Sequence, residues 1–142
     1  MNCTEQLTQI FRDNFVAYYR AHVAHVNVVG RTFASDHKLL QKTYEDLQSQ
    51  IDMIGELLRT LQEFMPDDIS QVLELSHIDT GALSGSSDFL IETVMEDLEH
   101  LVEMHRELVA IAEDDQPQIS NYAQDRILAL EKHIWMHRAT LD

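Results

Sequence analysis

Ser35-Asp-His-Lys-Leu-Leu40-Gln-Lys-Thr-Tyr44-Glu-Asp-Leu47-Gln-Ser-Gln-Ile51-Asp-Met-Ile54-Gly-Glu-Leu-Leu58-Arg-Thr-Leu61-Gln-Glu-Phe-Met65-Pro66 is the stretch on which the fold turns. Its apolar residues Leu40, Tyr44, Leu47, Ile51, Ile54, Leu58, Leu61 and Met65 recur at steps of three and four. That rhythm keeps one face of an α-helix apolar for about seven turns. Ser35 is placed to cap the helix, and Pro66 to end it.

The same period extends on both sides. Leu7, Phe11, Phe15, Tyr18, His22, His25 and Val29 predict a first helix from about Thr4 to about Val29, stopped by Gly30. Residues 67–87 form a crossover rich in Asp, Ser and Gly, in which Ile69, Val72 and Leu73 mark a short helical piece. Ser87 and Asp88 can cap a third long helix with Leu90, Val94, Leu98, Leu101, His105 and Leu108 inward, ending at Glu113, Asp114 and Asp115. Pro117 can open a fourth, with Ile119, Ala123, Ile127, Leu130, Ile134 and Leu141 on one face. Trp135 and the methionines are expected in the core. The expectation is all-α: one domain over residues 1–142, a four-helix bundle of two helix pairs joined by a long connection between helices two and three. The 142 residues suffice for one core, and only four Gly and two Pro interrupt them.

Ten Lys plus Arg against 25 Asp plus Glu give a formal charge of −15. Such a surface repels a phosphate backbone, so direct DNA binding is not expected. The first lysine is Lys38 and the sequence closes on Ala139-Thr-Leu-Asp142, so neither end supplies a basic tail. No secretory signal or membrane-spanning run is present, and the single Cys3 fits a reducing compartment. A cytoplasmic location is expected.

Among eight histidines and 25 acidic residues, one arrangement stands out. His25 closes the first helix, His37 opens the second, and Asp52 and Glu56 lie one turn apart further along it. Imidazole nitrogen with carboxylate oxygen suits iron, manganese or zinc. The fifteen residues between His37 and Asp52 correspond to roughly 22 Å of helical rise, far beyond the reach of one ion. If two second helices packed antiparallel about a two-fold axis, His25 and His37 of one subunit would face Asp52 and Glu56 of the other, giving two shared sites. On spacing alone, a solvated acidic face with two helix-end histidines is the favoured account.

The run His25-Val-Asn-Val-Val-Gly30-Arg-Thr-Phe33, followed by His37, Leu40, Tyr44, Leu47, Asp52 and Gly55-Glu56, resembles the signature region of the DNA-binding protein from starved cells (Dps) family. The stretch Glu131-Lys132-His133-Ile134-Trp135-Met136 resembles that family's last helix. The likeness spans nearly the whole chain. It implies a ferritin-like bundle and a hollow dodecamer built from two-fold dimers. It also implies a ferroxidase that oxidises Fe(II) with hydrogen peroxide, stores ferric mineral and limits oxidative damage. His25 and His37 would be metal ligands from one subunit, Asp52 and Glu56 ligands from its neighbour, with Glu56 bridging two irons; zinc or manganese could substitute. Two positions depart from the pattern. Gln41 stands where the family usually has an Asp, a neutral and weaker oxygen donor that weakens the second iron position and leaves the site either di-iron or mono-iron, and Val26 replaces a frequent Trp. Because the family's DNA-coating members use lysine-rich extensions, iron handling without DNA condensation is expected.

Three rivals stand beside this reading. A ferritin-type site inside the bundle needs Glu-x-x-His pairs; Asp97-x-x-His100 is the nearest candidate, and the first helix is expected to lack an inward acid in its middle. A silent shell would assemble without metal chemistry, with Gln41 as the mark of the loss. A nucleic-acid module would have to bind through an acidic surface. His22, His77, His100, His105, His133 and His137 are read as packing or surface residues. Glu45 and Asp46 are candidates for mineral nucleation.

Overall fold

The computed structural model describes all 142 residues. It contains five helices and no strand: α1 Cys3–Asn27, α2 Phe33–Thr60, α3 Ile69–Leu75, α4 Ser87–Ala112 and α5 Pro117–Leu141. α1 packs along α2 and α4 along α5, and α1 against α4 joins the pairs, with α3 lying in the crossover against α1. This is the expected all-α bundle with a short helix in its long connection.

The helix ends show local chemistry that periodicity does not. Asn2 caps α1: its Oδ1 accepts from the Glu5 amide at 2.8 Å and its Nδ2 donates to Glu5 Oε1 at 3.0 Å. α1 closes at Asn27, and the turn into α2 needs Gly30 at φ +108°, a region that L side chains avoid. The expected Ser35 cap is instead inside the first turn of α2, where its hydroxyl donates to the Thr32 carbonyl at 3.1 Å. α2 also stops well before Pro66. The Glu63 amide donates to the Leu58 carbonyl and the Gln62 amide to that of Arg59, both at 3.0 Å, with Gln62 at φ +66°. That is a Schellman stop with glutamine where glycine is usual.

Ser86, not Ser87 or Asp88, caps α4, accepting from the Phe89 amide at 3.1 Å. Ser87 does something else. Its Oγ accepts from the Val29 amide at 3.1 Å and donates to the Val29 carbonyl at 2.6 Å, which ties the α1–α2 turn to the start of α4.

Two apolar clusters fill the bundle. One gathers Val16, Leu40, Leu47, Leu98 and Leu130 with their neighbours. The other gathers Leu7, Phe11, Ile54, Leu58 and Leu108 with theirs. Polar groups on the same helices bond across the bundle. The Arg126 guanidinium donates twice to Asp46, at 3.1 and 2.8 Å, Tyr122 donates to Gln50 at 2.6 Å, and Asn14 donates to the Leu47 carbonyl at 2.9 Å. Asp46 is thus an ion-pair partner rather than a free mineral-nucleating acid. His105 is inward as expected, at 1% exposure, whereas Trp135 is 60% exposed. Ile134 and His137 take the inward positions beside Trp135. Met53 and Met65 also face out.

Candidate metal centre

His25 occupies the last turn of α1 and is 7% exposed; His37 follows in the first turns of α2, half-buried. The Gly30 turn folds the two helix ends together, and the two imidazoles clasp each other's backbone. His25 Nδ1 lies 2.7 Å from the His37 carbonyl oxygen, and His37 Nδ1 lies 2.7 Å from that of His25. A carbonyl oxygen only accepts, so both Nδ1 atoms carry the proton. In the neutral rings both Nε2 lone pairs are therefore free. This is the tautomer that a metal-binding histidine needs, fixed by a backbone acceptor on its other nitrogen.

The rings stack at 3.7 Å with 19° between their planes. Phe33 stacks on His37 at 5.0 Å, Tyr44 lies 5.0 Å from His25, and His22 stacks on Tyr44 at 4.0 Å. His22 in turn hydrogen-bonds the Tyr18 hydroxyl at 2.9 Å, so it is satisfied as a packing residue. Aromatic surface thus holds the pair in one orientation.

Further along α2, Asp52 and Glu56 are both exposed. The Glu56 carboxyl is raised above its ordinary value by a hydrogen bond to Asp52 and by that carboxylate's charge. Two acids competing for one proton form a pair that a cation would relieve. The four residues do not meet in one chain: the structure makes two pairs, His25 with His37 and Asp52 with Glu56. Asp13, His77 and His100 form the one group of three or more such side chains within metal-binding distance.

A ferritin-like domain family model matches residues 4–142. The DNA protection during starvation protein of Helicobacter pylori is 28% identical across 99% of both chains. Antigen TpF1 of Treponema pallidum is 30% identical over 96% of this chain and 78% of its own length. The crystal structure of Helicobacter cinaedi CAIP superposes with a TM-score of 0.92 at 29% identity, covering 99% of this chain and all of that one. The chain belongs to the Dps branch of the ferritin-like family. Membership implies iron storage and protection from oxidative damage.

Against this Dps frame, the two departures have clear surroundings. The Gln41 amide is half-buried and donates from Nε2 to Glu45 Oε1 at 2.9 Å. Val26 is exposed beside His25 and removes no ligand. The bundle-interior rival loses its motif: Asp97 Oδ2 pairs with Arg20 Nε at 2.7 Å, while His100 Nε2 turns to Asp13 Oδ2 at 2.8 Å. α1 does, however, carry an inward acid near its middle, because Asp13 has no exposed surface. The clue was in its register: Asp13 falls three residues after Ile10 and four before Ala17, both fully buried.

Proposed function

We propose that this protein is a ferroxidase and iron store: subunits pair about two-folds, His25 and His37 of one meet Asp52 and Glu56 of the other, and twelve chains enclose the ferric product. The observation that carries the reading is the reciprocal clasp, which aims two imidazoles with bare Nε2 atoms away from the backbone. Borderline Fe(II) suits that nitrogen pair combined with carboxylate oxygen, and zinc or manganese would occupy the same donors. Glu56, whose carboxyl is raised by that of Asp52, would be the acid that bridges two ions.

Hydrogen peroxide takes two electrons: H2O2 + 2 Fe(II) + 2 H+ gives 2 Fe(III) + 2 H2O. Two irons held close together would supply both electrons and release no hydroxyl radical. In this chain the second iron would be the weaker one, since Gln41 offers a neutral oxygen and its amide is engaged with Glu45. The site is then mono-iron at low Fe(II) and di-iron only when iron is abundant. The same observation favours a second reading, a retained shell whose oxidation chemistry has lapsed. The formal net charge of −15 argues against DNA condensation. No helix is long and apolar enough to cross a membrane.

The test is anaerobic Fe(II) loading followed by peroxide, with ferric absorbance as the readout and a His37→Ala, Asp52→Ala variant alongside. Rapid oxidation that the variant loses supports the shared site. Oxidation no faster than buffer in the unaltered protein refutes catalysis and leaves the lapsed shell.

A further inference from the structure

We propose that Asp13, His77 and His100 form a second metal site, apart from the His25–His37 pair, which binds one divalent transition ion of the zinc or ferrous class and pins the crossover to the bundle. The three side chains come from α1, from the crossover just after α3, and from α4. His100 Nε2 is 2.8 Å and His77 Nδ1 3.6 Å from Asp13 Oδ2, and the three donor atoms all lie within 4.8 Å of one another. Metal–ligand bonds of about 2.0–2.1 Å in tetrahedral geometry put donors roughly 3.3 Å apart, between the two distances seen. His77 is the side chain free to adjust, its imidazole being 57% exposed.

The carboxylate is prepared for one particular role. Asp13 Oδ1 accepts from Ser76 Oγ at 2.9 Å, from the His77 amide at 2.8 Å and from Gln9 Nε2 at 3.2 Å. That oxygen is saturated and fixed, and Oδ2 is left facing only the two imidazoles. Hydrogen bonds that orient the far oxygen of a ligand are the usual support of a metal site. Burial alone would raise the Asp13 carboxyl, yet the bonds from His100, His77 and Ser76 hold it below its ordinary value, so it is ionised at neutral pH.

Two imidazole nitrogens with one carboxylate oxygen select borderline ions such as Zn2+, Co2+ and Fe2+. Ca2+ and Mg2+ prefer all-oxygen sets. A bound ion would take the place of the His100–Asp13 hydrogen bond, with His77 on the side open to solvent. The other acids whose charge reaches His100 have partners of their own: Asp97 pairs with Arg20, and Glu107 accepts from Gln6 Nε2 at 3.3 Å.

The experiment titrates metal-free, full-length protein carrying His25→Ala and His37→Ala with Co2+, following visible absorbance, then adds Zn2+ or Ca2+ in competition. About one Co2+ per chain should remain, displaced by Zn2+ and not by Ca2+. Adding His77→Ala, an exposed change that leaves the bundle intact, should weaken binding by at least about ten-fold. It should also abolish the rise in melting temperature that Zn2+ produces. Absence of Co2+ binding in the double variant, or binding and spectrum unchanged by His77→Ala, overturns the proposal.

Discussion

Lowering the pH from 7 to 5 should destabilise this bundle through two histidines buried as neutral bases. His105 is pushed down from 6.5 to about 4, first by burial and further by the Arg126 charge, against the opposing effect of its bond to the Leu101 carbonyl. His137 is likewise pushed down to about 4 by burial, despite Nδ1 donating to the Ile91 carbonyl at 3.0 Å. Its Nε2 lies 2.9 Å from the Thr43 hydroxyl, from which the neutral ring can accept. In the unfolded chain both take up a proton near pH 6.5; in the folded chain neither does until about pH 4. Between those values the unfolded state binds more protons, so stability is full above pH 6.5 and falls as the pH drops. At pH 5 the loss is about 2 kcal/mol for each histidine, or about 4 kcal/mol together, a large share of a domain's stability of roughly 5–15 kcal/mol. His100 works the other way. Its bond to Asp13 raises it, so its contribution is present at low pH and lost as the pH climbs through its folded value. Urea unfolding at pH 7 and pH 5, at one chain concentration, gives the measurement, with His105→Leu as the comparison. The variant's baseline shifts with its packing, but its pH 7 to pH 5 difference should shrink by about 2 kcal/mol. A variant that keeps the full difference would refute the assignment of the acid sensitivity to His105.

Restoring a carboxylate with Gln41→Asp should raise the Fe(II) bound per shared site in anaerobic titration from about one toward two and quicken peroxide consumption; unchanged stoichiometry would clear Gln41 of limiting the second iron. Gln62→Gly should stabilise the chain by about 0.5–1 kcal/mol in urea, because it relieves the left-handed φ of +66° at the end of α2. Ser87→Ala removes both bonds to Val29 and should cost about 1–2 kcal/mol, with faster hydrogen exchange at the Val29 amide as the local sign.

The helices were legible because their apolar residues keep a 3.6-residue period over long spans. Their ends were less so. A serine near a helix start reads equally well as cap, as first-turn residue or as tether, and Ser86, Ser35 and Ser87 take these three roles in turn; only the path of the chain separates them. The site divides on the same line. Residue type and spacing only nominate His25, His37, Asp52 and Glu56, and the family resemblance is what ranks them first; the clasp that sets the imidazole tautomer depends on two backbone carbonyls brought together by the Gly30 turn. Asp13 was hidden for the opposite reason. A carboxylate on an apolar stripe looks like a residue that belongs to the surface, and its partners Ser76, His77 and His100 lie more than sixty positions away. Trp135 shows the converse, a large aromatic assigned to the core on type alone and found on the outer face of α5. Periodicity thus locates what a helix buries against its own chain. It is silent on what a helix end, a buried charge or an exposed aromatic meets in another segment, and those meetings are where both metal sites proposed for this protein are built.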